Sequence, residues 1–242
     1  MRSGATSTDP AGGGEPSPPR RQLYGRRRGP RLRSTRQQAL DQGLPGRAFA
    51  LPDEGPLEPR TLFAGPVADA WLEIGFGGGE HLAFHARANP QVGMVGVEPF
   101  VNGVARLLVE AEAGRLDNLR ILADDARLLL RVLVPGSLGR IFVLFPDPWP
   151  KLRHHKRRIV NPETLALMAR ALRPGGELRL ATDDAAYAAF MERSLRQQPL
   201  LRPLPATPRP DDWPETRYER KALDAGRSAV LFRLQRGPEP AP

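Results

Sequence analysis

The sequence predicts an α/β protein, a mostly parallel sheet with helices on both faces and an antiparallel strand closing it. Three observations carry the prediction. From Val67 to about Met191, short runs rich in Val, Ile and Leu alternate with helix-like periods. Helix start and stop signals fall between those runs: Asn161 is a good N-cap with Pro162 behind it, and Arg173-Pro174-Gly175-Gly176 ends the helix they open. Last, RSAVLFRLQR (227–236) alternates apolar and polar residues in part, as an antiparallel closing strand does.

In chain order, strands are read at 67–75, 93–98, 118–123, 139–145 and 176–182. Helices are read at 79–88, 100–114, 125–133, 161–171 and 184–197. Residues 37–66 form an irregular lead-in with one or two short helices, because five prolines forbid anything long. Residues 198–215, with six prolines, read as a loop. The domain plan is a basic arm over 1–36, disordered at least over 1–19, one folded domain over 37–236, and a frayed tail over 237–242.

Charge is unevenly placed. The chain of 242 residues has net charge +9, and residues 1–36 alone carry +7. Lys151, Arg153, Lys156, Arg157 and Arg158 supply a further +5, so everything else is mildly acidic. An acidic body with two basic patches fits a nucleic-acid partner better than a merely soluble surface, because neither patch interleaves acids to any extent. The absence of cysteine removes disulfides, thiolate catalysis and cysteine zinc sites, and four scattered His make no metal centre expected. No apolar run reaches the roughly 20 residues that span a membrane, and no apolar signal core opens the chain. A cytoplasmic location is expected; oligomeric state stays open, with a monomer favoured.

The first strand ends in Glu73-Ile74-Gly75-Phe76-Gly77-Gly78-Gly79. Gly75, Gly77 and Gly79 permit a tight turn against which a ligand can lie on backbone. Glu98 ends the second strand, 21 residues after Gly77, where an acid accepts from ribose hydroxyls. NAD and S-adenosyl-L-methionine both carry that ribose. The strand ends are acidic (Glu73, Glu80, Glu98, Asp124, Asp125, Asp147, Asp183), which suits a sulfonium and an ammonium and not a pyrophosphate, so the methyl donor is favoured over the dinucleotide. The fourth strand, IFVLF, empties into Pro146-Asp147-Pro148-Trp149 and then the cationic run to Arg158, with His154 and His155 inside it. Trp149 beside prolines is read as packed, and the two His as polar loop residues. A dinucleotide oxidoreductase, a non-catalytic RNA-binding protein and a methyltransferase acting on DNA or protein are the rival classes.

LEIGFGGGEHL, GVEPFVNGV, the Asp-Ala of ADDA, LFPDPWPKLRHHKRRIVNP, LRPGGELRLATD and the late TRYE occur in order across roughly 24–235. In these the chain resembles the bacterial tRNA (guanine-N7)-methyltransferases. The resemblance implies a Rossmann-like class I methyltransferase fold with a seven-stranded sheet. It implies methyl transfer from S-adenosyl-L-methionine to N7 of a guanine in tRNA, guanine 46 of the variable loop. It implies cofactor acids at Glu73, Glu98, Asp125 and Asp147, with Asp147 also catalytic. Substrate contacts are implied at Lys151, Asp183, Thr216, Arg217, Tyr218 and Glu219, and RNA contacts at Arg153, His154, His155, Lys156, Arg157 and Arg158. Pro150 stands where a histidine is common, Asp184 where an aromatic residue is common, and Tyr218 where Phe is frequent.

Overall fold

The computed structural model describes Tyr24 and residues 26–238. The expected disorder over 1–19 lies outside them. Seven strands form one sheet: β1 (Asp69–Ile74), β2 (Val92–Val97), β3 (Leu119–Leu122), β4 (Leu138–Leu144), β5 (Leu172–Thr182), β6 (Leu201–Leu204) and β7 (Val230–Arg236). Their order is β3-β2-β1-β4-β5-β7-β6, with β1 to β5 parallel and β7 antiparallel to both its neighbours. The parallel strands are buried on both faces, so their apolar runs are near-continuous rather than alternating.

Among the described residues, seven α-helices accompany the sheet: α1 (Ser34–Gly43), α2 (Glu80–Ala88), α3 (Val101–Gly114), α4 (Ala126–Val132), α5 (Pro162–Ala171), α6 (Ala185–Leu195) and α7 (Arg217–Asp224). On one face Ala70, Leu72, Ile74, Ile141 and Val143 pack with α4, α5 and α6. On the other, Trp71, Phe142 and Leu144 pack with α2 and α3, and α1 lays Ala39 and Leu40 against them. Asn161 caps α5 as expected, in a reciprocal bond with Thr164.

Three features depart from the expected plan. α1 begins at Ser34, inside the stretch read as the basic arm. β6 lies inside the proline-rich stretch read as loop; as an edge strand paired only with β7 it tolerates Pro203, whose missing N–H costs no bond to an inner neighbour. α7 follows, with Thr216 accepting from Glu219 N at 3.2 Å as its N-cap.

The loop between β6 and α7 is anchored on the sheet. Trp213 is 2% exposed and packs in the α2/α3-side core. The buried Arg179 guanidinium lies 5.4 Å from its ring centre and donates to Asp212 O at 3.2 Å and to Glu177 at 3.0 and 3.2 Å. α7 follows this anchor and lays Tyr218 against Gly77 in the turn after β1. Trp213→Ala is expected to cost about 3–5 kcal/mol in urea unfolding; a loss under about 1 kcal/mol, the level of a surface change, would show that the loop is not anchored there.

Candidate active site

A cavity of about 360 Å³ opens where β1, β2, β3 and β4 end. β1 lies between β2 and β4 while the chain passes from β1 outward to β3 and back to β4. That reversal is the switch point at which open α/β sheets bind ligands.

Its floor is the turn after β1. Gly75, Gly77 and Gly79 all have positive φ (72°, 54° and 81°), which L side chains rarely adopt. Glu98 fixes the turn to the next loop: one carboxylate oxygen accepts from Gly77 N at 2.8 Å and the other from Phe100 N at 2.9 Å. Burial pushes the Glu98 carboxyl above the usual carboxylate range, the two backbone donors oppose this, and Asp147 and Glu73 push it up further. Tyr218, half-exposed on α7, lies against Gly77, where an added Cβ would meet its ring at 3.0 Å.

Beyond β3, Asp125 is 4% exposed on the cavity wall. Its Oδ1 caps α4 by accepting from Arg127 N at 2.9 Å, while Oδ2 is buried with no hydrogen-bond partner. An orphaned acceptor here fits an amino group brought by a ligand. Glu73 is different. Strand alternation turns it to the α2 side, where it accepts from His81 Nδ1 at 2.8 Å, and His81 Nε2 is 3.2 Å from His85 Nε2. One assignment pairs every proton: His85 Nε2–H donates to His81, and His81 Nδ1–H donates to Glu73. Glu73 and Gly79 therefore lie behind the cavity wall, whereas Gly75, Gly77, Glu98, Asp125 and Asp147 line it.

The loop after β4 forms the opposite wall. Phe145 and Trp149, on either side of Pro146-Asp147-Pro148, both have left-handed φ (52° and 45°), a costly backbone for bulky residues. The bend puts Asp147 on the wall and exposed. Trp149 corrects the expectation of simple packing: it is half-buried and lines the cavity. Lys151 precedes a 3-10 helix, Leu152–Arg157, whose Arg153 and Lys156 are exposed and whose His154, His155 and Arg157 are half-buried. Arg158 corrects its expected role as an RNA contact. It is 1% exposed, donates to Pro148 O at 2.8 Å, and its guanidinium lies 4.8 Å from the ring centres of both Tyr187 and Phe190. A guanidinium so placed braces the loop from inside.

The other expected substrate residues are divided. Asp183 sits outside the cavity lining and pairs with Arg227 at 2.9 Å. Thr216 caps α7, Arg217 lies over the Tyr218 ring, and Glu219 is buried and bonded to Arg209, so only Tyr218 of that run reaches the cavity. Asp184 caps α6 through Tyr187 N at 2.7 Å, which explains the acid in an aromatic's place.

Arg127 and Tyr24 are among the cavity residues that the sequence left unassigned. Arg127 donates to Asp125 Oδ1 at 3.3 Å and to Arg157 O at 3.0 Å, tying the β3 wall to the cationic helix. Tyr24, from the basic arm, lines the mouth. An aromatic interrupting an arginine run was the available signal. Among the described residues no group of three His, Cys, Asp or Glu is placed to hold a metal ion, and no helix is long and apolar enough to cross a membrane.

The fold and this cavity define a methyltransferase: residues 68–231 match a family described as putative methyltransferase. The crystal structure of the 16S rRNA methyltransferase KamB is similar in fold, at 20% identity and TM-score 0.51, over 71% of this chain and 89% of that one. TrmN from Thermus thermophilus is similar over 70% of this chain and 44% of that one, at 20% identity and TM-score 0.50. The curated tRNA (guanine-N(7)-)-methyltransferase of Paramagnetospirillum magneticum is 48% identical over 90% of this chain and 93% of its own length. That of Rhodospirillum rubrum is 46% identical over 90% and 89%. The chain belongs to the tRNA (guanine-N7)-methyltransferase family.

The buried histidines generate a pH prediction. Burial pushes the His85 imidazole down to about 3, with His81 and Arg179 adding to the shift. Its unfolded value is about 6.5, so the stability it contributes is complete above that pH and is lost as pH falls toward 3. His85→Phe is expected to flatten the fall in unfolding free energy below pH 6.5 by up to about 1.4 kcal/mol per pH unit. Parallel curves for the two proteins over that window would refute a neutral buried His85.

Proposed function

We propose that this protein transfers the methyl group of S-adenosyl-L-methionine to N7 of a guanine in tRNA, guanine 46 of the variable loop, leaving 7-methylguanosine. The observation that carries this reading is that Asp147 shares one cavity with Glu98 and Asp125, while the exposed cations Lys151, Arg153 and Lys156 follow Asp147 closely along the chain. The names of the curated relatives support its coarser part, methyl transfer to N7 of a tRNA guanine.

The wall fits the cofactor. Asp125 Oδ2 is a buried acceptor without a partner, placed to receive an adenine amino group, and Glu98 keeps lone pairs for ribose hydroxyls beyond its two backbone bonds. When bound, the cofactor supplies an electrophilic methyl on a positively charged sulfur. Guanine N7 has a lone pair and no proton at neutral pH, so forming the N7–C bond and breaking the S–C bond requires no general base. The residues must align the base and favour charge growing on it. Asp147 does both by accepting from the N1–H or amino group of the guanine. Pro146 and Pro148 restrict the loop that carries it. Lys151, Arg153 and Lys156 hold phosphates, and Tyr218 closes the floor over the glycine turn. A single folded domain, begun at α1 rather than at residue 37, and a cytoplasmic setting belong to the same reading.

Asp147→Ala is expected to lower kcat by about a thousandfold, the scale of a lost preorganised electrostatic group, while cofactor and tRNA binding weaken only moderately. Methyl transfer to unmodified tRNA followed by nucleoside analysis measures it, and wild-type turnover would refute the assignment. Reversing charge at Lys151, Arg153 and Lys156 is expected to raise the apparent tRNA constant and reduce its log–log salt slope by about one per lost phosphate contact. An unchanged slope would remove the cationic helix from the RNA interface.

A further inference from the structure

The strap of chain at the arm's base crosses the cavity mouth. Asn102 at the start of α3 accepts from Gly29 N at 2.8 Å and donates to Pro30 O at 2.8 Å, and Val101 N donates to Arg27 O at 2.9 Å. Arg26 lines the cavity, and at its opposite wall the Tyr24 ring lies 6.4 Å from Trp149, at 71° to it. The Arg157 guanidinium lies in the corner between them, 5.3 Å from the Tyr24 centroid and 4.9 Å from that of Trp149. Arg127 lies 5.6 Å from the Tyr24 ring on the cavity side. The mouth is thus a corner of two aromatic rings holding a planar cation.

We propose that Tyr24 and Trp149 form the corner that receives the target base, taking the planar guanine in place of the Arg157 guanidinium, and that the corner binds the methylated base more tightly than the unmethylated one. This inference rests on the proposed reaction. Aromatic faces attract planar cations through the ring quadrupole and stack on any base. Guanine enters neutral and becomes cationic as the N7–C bond forms, so the attraction grows toward the transition state, which is the condition for catalysis rather than mere binding. Arg157, half-buried on a flexible stem, is released toward phosphate as the base enters, so RNA binding and opening of the corner are one event. Because Tyr24 belongs to the arm and Trp149 to the loop beside Asp147, the base pocket is complete only with the arm in place.

The test uses the full chain and compares Tyr24→Ala, Tyr24→Phe and Trp149→Ala with wild type. Three quantities are measured: kcat/KM for unmodified tRNA, S-adenosyl-L-methionine affinity by calorimetry, and binding of 7-methylguanosine and guanosine monophosphates. Tyr24→Ala is expected to lose about 10- to 100-fold in kcat/KM, the scale of one lost base–aromatic stack. It is also expected to lose the preference for the methylated nucleotide while still taking up the cofactor. Tyr24→Phe keeps the ring and is expected to stay near wild type on both measures. Wild-type kcat/KM in Tyr24→Ala overturns the proposal, as does an equal loss in Tyr24→Phe, or a rate loss with the nucleotide preference intact. A wild-type protein that forms no 7-methylguanosine sinks the reaction itself; one that forms it at full rate without the Tyr24 ring sinks only the corner.

Discussion

The site depends on a single buried carboxylate. Glu98 joins Gly77 N of the β1–α2 turn to Phe100 N at the entry of α3, so the two loops share one carboxylate beyond the last ladder bond, Gly75 N to Val97 O. Without it, two backbone donors in the cavity floor lose their partners, at about 1–3 kcal/mol each if they stay buried. The same juncture dictates Gly103: an added Cβ there would lie 2.1 Å from the Gly77 carbonyl oxygen. Floor, β2 end and α3 are therefore one rigid piece, and the arm's base is hydrogen-bonded to it through Val101 and Asn102.

The facing wall is built by the opposite means. Nothing in Pro146-Asp147-Pro148 supplies a regular turn, and the left-handed Phe145 and Trp149 hold strain of about 1–3 kcal/mol each. Two arginines hold the loop: Arg158 bonds Pro148 O beneath it, and Arg127 bonds Arg157 O while keeping its grip on Asp125. Part of the cationic run is thus internal scaffolding, and its outward charges are Lys151, Arg153 and Lys156.

That division marks what the sequence makes legible. The parallel strands and the five central helices announce themselves because their apolar periods are long and their ends carry Asn161, Pro162 and glycines. The acids at the strand ends are legible for the same reason: where a parallel strand stops is where its site lies. β6 and α7 hide behind composition: six prolines advertise a loop although the edge strand holds only one of them, Pro203, and α7 is too short and too polar overall for its two-sided pattern to stand out. Direction is what a linear reading lacks. Arg158 counts as one more positive charge until Tyr187 and Phe190 are seen around it, and Glu73 counts as one more rim acid until strand alternation turns it toward His81. Tyr24 is the converse case, an arm residue that only three-dimensional closure brings to Trp149.

Those orientations give the cavity its electrostatic logic. Asp147 and Glu73 both push the Glu98 carboxyl upward, so the acids of the region repel one another when no cation lies among them. A positive cofactor relieves that repulsion on arrival. In the proposed reaction the charge then passes from sulfur to the purine ring without leaving the cavity, so carboxylates fixed by Gly77, Phe100 and Arg127 serve both ends of the transfer with no reorganisation. What changes is the position of the charge: it ends against Asp147 and the aromatic corner rather than on the cofactor side. An acidic floor fixed by backbone donors, paired with a proposed base corner that the Arg157 side chain fills until the base arrives, is the arrangement such a displacement calls for, because the field must be set before the methyl moves and the base must still be free to leave afterwards.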